Sequence, residues 1–414
     1  MRILFFSTAF PQPDEPSRNP DNLERCAALA RHHDVHVISP FSWLRLASGI
    51  PPRQEAPTRG FTVSRPMFCY PPGALRAMHA WCMWQGVRRT ALDKVRAFQP
   101  EAVLSYWTYP DTAVATAIAR LAGAPCVAIV GGSDVLSIDP AAPGAAGHRA
   151  RRVLEGVDAI AAVSDSIKDR IAALGISPRK IDVLGAAVDR TIFVPGSRHD
   201  ARRRLDISGD AQVLMWVGRM VPVKALDLLL DAVVLLRPDW PNLRLYLIGD
   251  GPLRRSLEAK VAARQLANHV TFVGRVSHRD LPDYYRAADL TVLPSEWEGM
   301  PNALIESHAC GTPFVASAVG AAPQLAQADL DELVAPGDRE QLAITIATAL
   351  KRRSGARQSA ICNAAGWEQM AEQLAALMQS ARRSRAITVT EATPAPPRLR
   401  TRLRPNRRHS WRAS

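Results

Sequence analysis

Two glutamates, Glu298 and Glu306, stand eight positions apart in the segment PSEWEGMPNALIESHACG, residues 294–311. Glu298 falls in a turn rich in Gly and Pro, after an apolar run at 290–294 that predicts a buried strand. Glu306 falls in a predicted helix, and Pro301 suits its first turn because proline lacks the N–H group that is unpaired there. The unpaired N–H groups and the dipole at a helix N-terminus attract anions. The spacing therefore predicts a phosphate site with a hydroxyl-binding carboxylate on either side.

The ends of this predicted helix carry their own signals. Asn302 can cap the N-terminus with its side chain, and Gly311 suits the residue that ends the helix. On spacing alone, an ordinary strand–loop–helix unit with two solvated glutamates explains the segment equally well.

A pair of cations, Arg219 and Lys224, follows a predicted strand at 213–217 and precedes an amphipathic helical pattern. A guanidinium can bind two diphosphate oxygens at once, and an ammonium can supply a point charge. The alternative is a surface or helix-capping pair. The sequence has one Asp-x-Asp triplet, Asp329–Asp331, which we interpret as surface. We therefore expect fixed cations rather than a metal ion to neutralise a leaving diphosphate.

Four segments occur in a definite order: the Arg219/Lys224 segment, LRLYLIGDGPL at 243–253, VTFVGRVS at 270–277 and the Glu298/Glu306 segment. Over residues 213–350 this order resembles the nucleotide-sugar-binding domain of family 4 glycosyltransferases. These are retaining enzymes with the GT-B fold. The resemblance implies an α/β protein in which two Rossmann-like, doubly wound domains face each other across a cleft, and a C-terminal helix crosses back to the N-terminal domain.

The resemblance also implies residue roles. Arg219 and Lys224 would hold the diphosphate, and Glu298 would bind hydroxyls of the donor sugar; these three are the catalytic candidates. Glu306 would bind the ribose, and the backbone near Arg275 and Val276 would meet the base. The donor, a UDP- or GDP-linked sugar, is expected to bind without a metal or other cofactor. The full set of predicted donor-binding residues is Gly218, Arg219, Lys224, Gly249, Arg275, Val276, Glu298, Gly299, Met300, Pro301, Asn302, Ala303, Leu304 and Glu306.

The N-terminal half is expected to bind the acceptor. Residues 107–136 resemble family members that build bacterial surface polysaccharides, and they end in a turn where Ser133 and Asp134 are candidates for contacting acceptor or sugar. A helix-capping role explains the same pair. Phe10-Pro11-Gln12-Pro13 stands where many relatives have a glycine pair, and Gly320-Ala321-Ala322-Pro323-Gln324 departs from the usual Gly-Gly-x-x-Glu.

Two functional hypotheses follow. The first is a metal-independent retaining glycosyltransferase that moves a sugar from a nucleotide diphosphate sugar to a lipid-linked or surface-glycan acceptor. The second, motivated by the departures in the N-terminal half, is a non-catalytic nucleotide-sugar-binding or scaffold partner in a polysaccharide-assembly complex.

The chain of 414 residues is long enough for two domains. Strands alternate with helices in both halves, which is typical of parallel sheets. We predict an N-terminal domain over 1–194, a linker over 195–210 and a C-terminal domain over 211–365. A returning helix is expected at about 366–380, and a disordered Arg-rich tail over 381–414.

Charge is concentrated at the C-terminus. The formal net charge is +13, and residues 381–414 hold ten arginines and one acid, Glu391. No nucleic-acid-binding motif accompanies this charge, so no nucleic-acid partner is expected. Six scattered cysteines without a CxxC pair suit a reducing cytoplasm.

A predicted helix at 73–98 combines Met78 and Trp81 with Arg88 and Arg89. Such a helix can lie on an anionic membrane, although packing on a sheet explains it too. With the basic tail, this pattern predicts a cytoplasmic protein held peripherally at the inner face of a bacterial membrane.

Overall fold

The computed structural model has two large, mainly parallel sheets, joined near residue 195 and connected again by the last helix. It also has two small two-stranded sheets, Phe41–Ser42 with Met67–Phe68 and Ala187–Val188 with Ala365–Gly366. The residues that it describes are 1–12, 19–44, 55–71, 76–136, 138, 141, 144–353 and 365–391.

The strands and helices alternate along most of the chain, as the sequence predicts. The strands are β1 Arg2–Phe6, β2 Asp34–Ile38, β3 Phe41–Ser42, β4 Glu55–Thr58, β5 Phe61–Ser64, β6 Met67–Phe68, β7 Ala102–Tyr106, β8 Cys126–Val130, β9 Ala159–Ala162, β10 Ile181–Val183, β11 Ala187–Val188, β12 Gln212–Val217, β13 Leu243–Ile248, β14 Val270–Gly274, β15 Leu290–Leu293, β16 Phe314–Ser317, β17 Glu332–Val334 and β18 Ala365–Gly366. The helices are α1 Pro20–Ala30, α2 His79–Phe98, α3 Ala113–Ala122, α4 Ser133–Leu136, α5 Gly144–Glu155, α6 Asp165–Ala173, α7 Arg198–Arg204, α8 Leu226–Leu236, α9 Arg254–Ala263, α10 Leu281–Ala287, α11 Asn302–Ala309, α12 Ala322–Leu325, α13 Arg339–Arg353 and α14 Trp367–Glu391.

The N-terminal sheet has eight strands in the order β10-β9-β8-β7-β1-β2-β5-β4. Its pairings are parallel except for β4, which runs antiparallel to β5 at one edge. Central strands such as β8 (CVAIV) are buried along their whole length, because helices cover both faces of a parallel sheet. Two short strands, β3 and β4, lie within residues 40–60, where the sequence shows no clear periodicity.

The C-terminal sheet has six parallel strands in the order β14-β13-β12-β15-β16-β17. The chain reverses direction across the sheet between β12 and β15. In open α/β sheets, ligands bind beyond the carboxyl ends of the strands at such a switch point. The residues that follow β12 and β15 are the Arg219/Lys224 and Glu298 segments, so the topology brings the two predicted motifs together.

The last helix, α14, crosses back to the N-terminal sheet, as the GT-B resemblance implied. Met370, Leu374 and Met378, spaced four apart on one face, are buried in the same apolar cluster as Leu29 of α1 and Val127 of β8, two elements that α14 contacts. This contact buries a continuous apolar stripe.

Helix α14 runs to Glu391, which corrects the prediction that disorder begins at residue 381. Ala381 is buried, Arg382 bonds to Glu101, and Arg385 bonds to the Ala124 carbonyl oxygen at 2.9 Å. Residues 381–391 therefore extend the helix that packs on the N-terminal domain. The rest of the predicted tail, 392–414, lies outside the described residues.

The segment 195–210, predicted as a polar linker, contains helix α7. Arg202 on this helix is 3% exposed and bonds to Asp289 at 2.9 Å and to the Ala287 carbonyl oxygen at 2.9 Å. Because a buried charge is stable only when it is paired and hydrogen-bonded, α7 is fixed to the C-terminal domain. The polar composition indicated a solvated linker, but arginine side chains can also pack within a domain, as Arg202 does here.

Within the described part of the chain, no helix has the length and apolar character needed to cross a membrane.

Candidate functional site

A cleft of about 1740 Å³ lies between the two sheets and is lined by residues from both. Most of the predicted donor-binding residues face it: Gly218, Arg219, Lys224, Gly249, Arg275, Val276, Glu298, Met300, Pro301, Asn302, Ala303 and Glu306. Two do not. The side chain of Leu304 is fully buried in the core of the C-terminal domain, and Gly299 lies against the N-terminal domain.

Arg219 and Lys224 occupy a short connection between β12 and α8. Arg219 is exposed and projects into the cleft. Lys224 is the last residue of a 3-10 turn, Pro222–Lys224, that leads into α8. The backbone N–H of Glu296 donates to the Val223 carbonyl oxygen at 2.9 Å. This bond fixes the loop after β12 beside the loop after β15, so the cations and Glu298 share one wall.

Lys224 and Glu298 form an ion pair, with 2.5 Å between Nζ and Oε1. The Ser295 hydroxyl donates to the same carboxylate oxygen at 2.7 Å. Glu298 is buried, and a buried carboxylate needs such partners to stay charged. The pair was not predicted from the sequence. It keeps the ammonium and the carboxylate at the cleft wall, where a bound diphosphate can take over the contact with Lys224.

Glu306 is bonded by two residues of the C-terminal domain. The Tyr285 hydroxyl donates to Oε2 at 2.8 Å, and His278 Nε2 lies 3.1 Å from Oε1. Burial and the charge of Glu306 raise the pKa of Tyr285. Burial alone would lower the pKa of His278, but the hydrogen bond and charge of Glu306 outweigh it, so that pKa is raised. The carboxylate is thereby held in one orientation toward the cleft.

The rim of the cleft beyond β12 and β13 is formed by two closely packed loops. Gly249, which follows β13, has φ +125°, and a β-carbon there would lie 1.9 Å from the Gly218 carbonyl oxygen. Only glycine lets the two loops approach this closely. Arg275 lies beyond them, exposed, with Nε 3.9 Å from the Asp250 carboxylate. The rim is therefore mostly backbone, which suits a flat ring such as a nucleobase.

Helix α11 begins differently from the sequence prediction. Pro301 takes the N-cap position, and no side chain caps the helix. The side-chain amide of Asn302 instead donates to Asp21 at the start of α1. Burial, partly offset by the charge of Arg25, raises the pKa of Asp21. The first turn of α11 is thus left open toward the cleft, and Asn302 links the two domains.

On the N-terminal side, Asp134 lines the cleft, but its oxygens are already engaged. Oδ2 accepts from the Thr108 N–H at 3.0 Å and the Thr108 hydroxyl at 2.8 Å, while Oδ1 accepts from the Gly132 N–H at 2.9 Å. Burial raises the pKa of Asp134 against these hydrogen bonds. Ser133 starts α4, and its side chain lies outside the described residues. Asp134 therefore fixes the turn after β8.

Sequence reasoning missed several residues that line the N-terminal wall. Tyr109 donates from its hydroxyl to the Ala77 carbonyl oxygen at 2.7 Å, and Arg149 lies over its ring at 5.6 Å. His79 stacks on Tyr70 with ring centroids 4.3 Å apart, and burial lowers its pKa. All four line the cleft. They come from four different elements or loops, so no spacing in the sequence could have grouped them.

The Asp-x-Asp triplet is a surface segment only in part: Asp329 is exposed, as the sequence predicts, but Asp331 is not. Asp331 is buried, with an oxygen 2.9 Å from His308 Nε2, and it accepts from the Phe314 N–H at 2.8 Å. It organises the turn before β16 rather than facing the cleft. No group of His, Cys, Asp and Glu residues in the described ranges has the arrangement of a metal site.

Comparison with known families matches this architecture. A model described as "Glycosyl transferase 4-like domain" matches residues 22–187, and one described as "Glycosyl transferases group 1" matches residues 211–352. Together they cover more than half of the chain. The chain therefore belongs to the family 4 glycosyltransferases, which have the GT-B fold.

Curated relatives match part of the chain. D-inositol 3-phosphate glycosyltransferase of Geodermatophilus obscurus is 34% identical over 258 residues, covering 58% of this chain and 56% of the relative. The protein of the same name from Mycobacterium bovis is 38% identical over 169 residues, or 38% of this chain and 33% of the relative. The chain thus spans about half, or less, of the length of these relatives.

Solved structures are similar over nearly the whole chain. Sucrose-phosphate synthase from Thermosynechococcus elongatus has a TM-score of 0.70 and 19% identity, covering 94% of this chain and 98% of that one. Anabaena HepE in complex with UDP-glucose has a TM-score of 0.65 and 19% identity, covering 94% and 100%. WaaG, a glycosyltransferase involved in lipopolysaccharide biosynthesis, has a TM-score of 0.62 and 16% identity, covering 94% and 99%. These likenesses show the fold.

Proposed function

We propose that the protein is a metal-independent, retaining glycosyltransferase that moves a sugar from a nucleotide diphosphate sugar to a lipid-linked or surface-glycan acceptor. One observation carries the proposal. Arg219, Lys224 and the open first turn of α11 converge on one cleft, with Glu298 and Glu306 on either side.

The donor half supplies what the departing group requires. Cleavage of the bond between sugar and diphosphate leaves negative charge on the diphosphate and positive charge on the sugar. Arg219 can bind two diphosphate oxygens and Lys224 can supply a point charge, while the N–H groups of α11 add oriented dipoles. Such groups act mainly by stabilising charge that develops in the transition state. Buried Asp331 supports independence from a metal, because this carboxylate of the Asp-x-Asp triplet is bonded within the domain.

The two glutamates would hold the donor at both ends. Glu306, oriented by Tyr285 and His278, can accept hydrogen bonds from ribose hydroxyls. Glu298 can accept from hydroxyls of the transferred sugar once the diphosphate binds Lys224. Because the donor would be fixed over its length, the reacting carbon would face the N-terminal wall.

The acceptor would bind at that wall, between the aromatic residues Tyr70 and Tyr109 and the base of the cleft at Asp134. Aromatic faces pack well against sugar rings, and Arg149 would suit an anionic group. The curated relatives are named for an inositol 3-phosphate substrate, and WaaG acts in lipopolysaccharide biosynthesis. The name of the curated relatives supports a hydroxylated acceptor that carries phosphate.

Titration with UDP, GDP, ADP and their sugars, followed by turnover assays, tests the proposal. We expect tight binding of one nucleotide series and slow hydrolysis or transfer of its sugar. Glu306→Ala should weaken binding and abolish turnover. Glu296→Ala, an exposed glutamate in the neighbouring loop, is the matched control and should change neither. Tight binding without turnover across many acceptors would instead favour a non-catalytic nucleotide-sugar-binding partner.

We further propose that the N-terminal domain contacts an anionic lipid surface. Met78, just before α2, and Trp81, on α2, are 41% and 57% exposed. Met67 on β6 and Trp43, which directly follows β3, are exposed nearby. Exposed Arg88 continues the α2 face about two turns beyond Trp81. An apolar face bordered by arginine suits the headgroup region of an anionic leaflet.

The tail would add long-range attraction. Residues 392–414 hold seven arginines, and each arginine near an anionic leaflet contributes about 1 kcal/mol within a Debye length. Truncation after Glu391 keeps α14 complete, so it removes the tail without disturbing the N-terminal core. The truncated protein should bind vesicles containing anionic lipid more weakly, and Trp81→Ala should weaken binding further. Ile344→Ala, which changes an exposed residue of the other domain, is the control. Equal vesicle binding by all four proteins at low salt would contradict the proposal.

A further inference from the structure

A backbone contact joins the two domains beside Glu298. The turn after β8, Gly131-Gly132, touches Gly299 of the C-terminal domain. A β-carbon at position 299 would lie 2.5 Å from the Gly131 carbonyl oxygen and 3.0 Å from the Gly132 α-carbon. Any side chain at position 299 would therefore push the domains apart, and glycine allows main chain to meet main chain.

A hydrogen bond secures this contact. Ser164, which is 1% exposed, donates from its hydroxyl to the Gly299 carbonyl oxygen at 3.3 Å. The same oxygen accepts from the Ala321 N–H at 3.2 Å. Gly299 O is thus bonded from the N-terminal domain on one side and from its own domain on the other.

Ser164 has two further partners, which fix the hydroxyl. It is the N-cap of α6 and accepts from the Ile167 N–H at 3.3 Å, and its oxygen lies 2.9 Å from the Ser166 hydroxyl. When the Ser166 hydroxyl donates to the Ser164 oxygen, the Ser164 proton is left for the Gly299 carbonyl oxygen.

The peptide that Ser164 holds directly follows Glu298. The chain is also confined behind Glu298, because a β-carbon on Gly320 would lie 2.3 Å from the Glu298 carbonyl oxygen. With the main chain fixed on both sides, the Glu298 carboxylate has little freedom apart from its own side-chain rotations. Its direction toward the donor sugar therefore depends on where the N-terminal domain sits.

We propose that Ser164 is a positioning residue for the transfer reaction: through the Gly299 carbonyl it aligns Glu298 with the donor sugar when the two domains close. This inference rests on the function proposed above. The inference makes different predictions for nucleotide affinity and for turnover. Diphosphate and ribose contacts come from the C-terminal domain alone, so nucleotide affinity does not depend on Ser164. Alignment of the sugar does depend on it, so turnover does.

The test compares two N-cap serines. Ser197 caps α7 and accepts from the Asp200 N–H at 3.2 Å, as Ser164 does from Ile167, but it lies away from the cleft. Ser164→Ala should lower kcat about tenfold, the effect of losing roughly one hydrogen bond, and leave the Kd for the nucleoside diphosphate within about twofold. Ser197→Ala should keep wild-type kcat. Ser164→Thr, which retains a hydroxyl, should restore most of the rate.

If Ser164→Ala folds poorly, a second variant tests the same interdomain contact. Gly299→Ala retains the serine but fills the contact. In the presence of nucleotide sugar, small-angle scattering should show a larger radius of gyration for Gly299→Ala than for the wild type, because the added methyl group separates the domains at this contact. Equal kcat values for Ser164→Ala and Ser197→Ala, or a parallel loss of nucleotide affinity and kcat, would overturn the inference. Lack of turnover in the wild type would contradict the proposed function instead, and the scattering comparison would still decide whether the contact controls closure.

Discussion

The two walls of the cleft use their polar residues in opposite ways. On the C-terminal wall, Arg219 and Arg275 are exposed to the cleft, and the cation of Lys224 is paired with Glu298. On the N-terminal wall, the carboxylate of Asp134 accepts hydrogen bonds from Thr108 and Gly132. The carboxylate of Asp111 accepts one from Thr8. The difference teaches that lining a cleft does not by itself indicate ligand binding. On the N-terminal wall, these bonded carboxylates hold the wall in shape.

The largest expected effect concerns the C-terminal wall. Lys224→Ala should lower turnover by about 10²-fold or more, because a lost charge stabiliser typically costs a few kcal/mol in the transition state. Steady-state kinetics with the preferred nucleotide sugar measures it. Lys260→Ala removes a lysine from an exposed ion pair with Asp227 and should leave turnover unchanged. Wild-type turnover in Lys224→Ala would show that the cleft cation is not used.

The corresponding change on the N-terminal wall should act on stability. Asp134→Asn places an amide NH2 where the carboxylate now accepts from Thr108 or Gly132, so one donor is left unpaired. Urea unfolding should show a loss of about 1–3 kcal/mol, with unchanged nucleotide affinity. Exposed Asp239→Asn should change the unfolding free energy by less than about 0.5 kcal/mol. A normal stability with lost turnover would instead make Asp134 a substrate contact.

A smaller effect concerns pH. The pKa of His278 is raised in the folded protein, so the folded state binds that proton more tightly than the unfolded state. The resulting stabilisation is fully present below the ordinary histidine pKa of about 6.5 and is lost as the pH rises through the raised value. The difference in unfolding free energy between wild type and His278→Gln should therefore be largest in mild acid and shrink toward alkaline pH. A difference that grows with pH would contradict the role given to Glu306.

Chelation should have the smallest effect. EDTA is expected to leave turnover unchanged, since cations and a helix N-terminus are proposed to take the place of a metal ion. Activity that is lost with EDTA and restored by Mg²⁺ or Mn²⁺ would contradict this assignment.

The C-terminal wall was the more predictable of the two. Its residues lie within short segments at the ends of strands, and strand periodicity places those ends at one edge of a parallel sheet. The N-terminal wall was not predictable, because Tyr70, His79, Tyr109 and Arg149 come from separate elements and meet only in the fold. The glycines at 132 and 299 are visible in the sequence, but their contact exists only between domains.

Local composition was least informative about structure in polar segments that pack against a domain. The arginines of α7 and of residues 382–385 suggest a linker and a disordered tail, yet Arg202 and Arg385 bond to main-chain carbonyl oxygens. Charge alone does not reveal such partners. The Lys224–Glu298 pair was missed for a similar reason, since each residue was assigned to a ligand rather than to the other.

Calorimetric titration of UDP and GDP into wild type, Lys224→Ala and Asp134→Asn at one salt concentration tests the contrast between the two walls most directly. We expect one nucleotide to bind the wild type tightly, Lys224→Ala to raise its Kd about tenfold or more, and Asp134→Asn to leave the Kd unchanged. Equal effects of the two substitutions, or a Kd that only Asp134→Asn changes, would contradict this contrast.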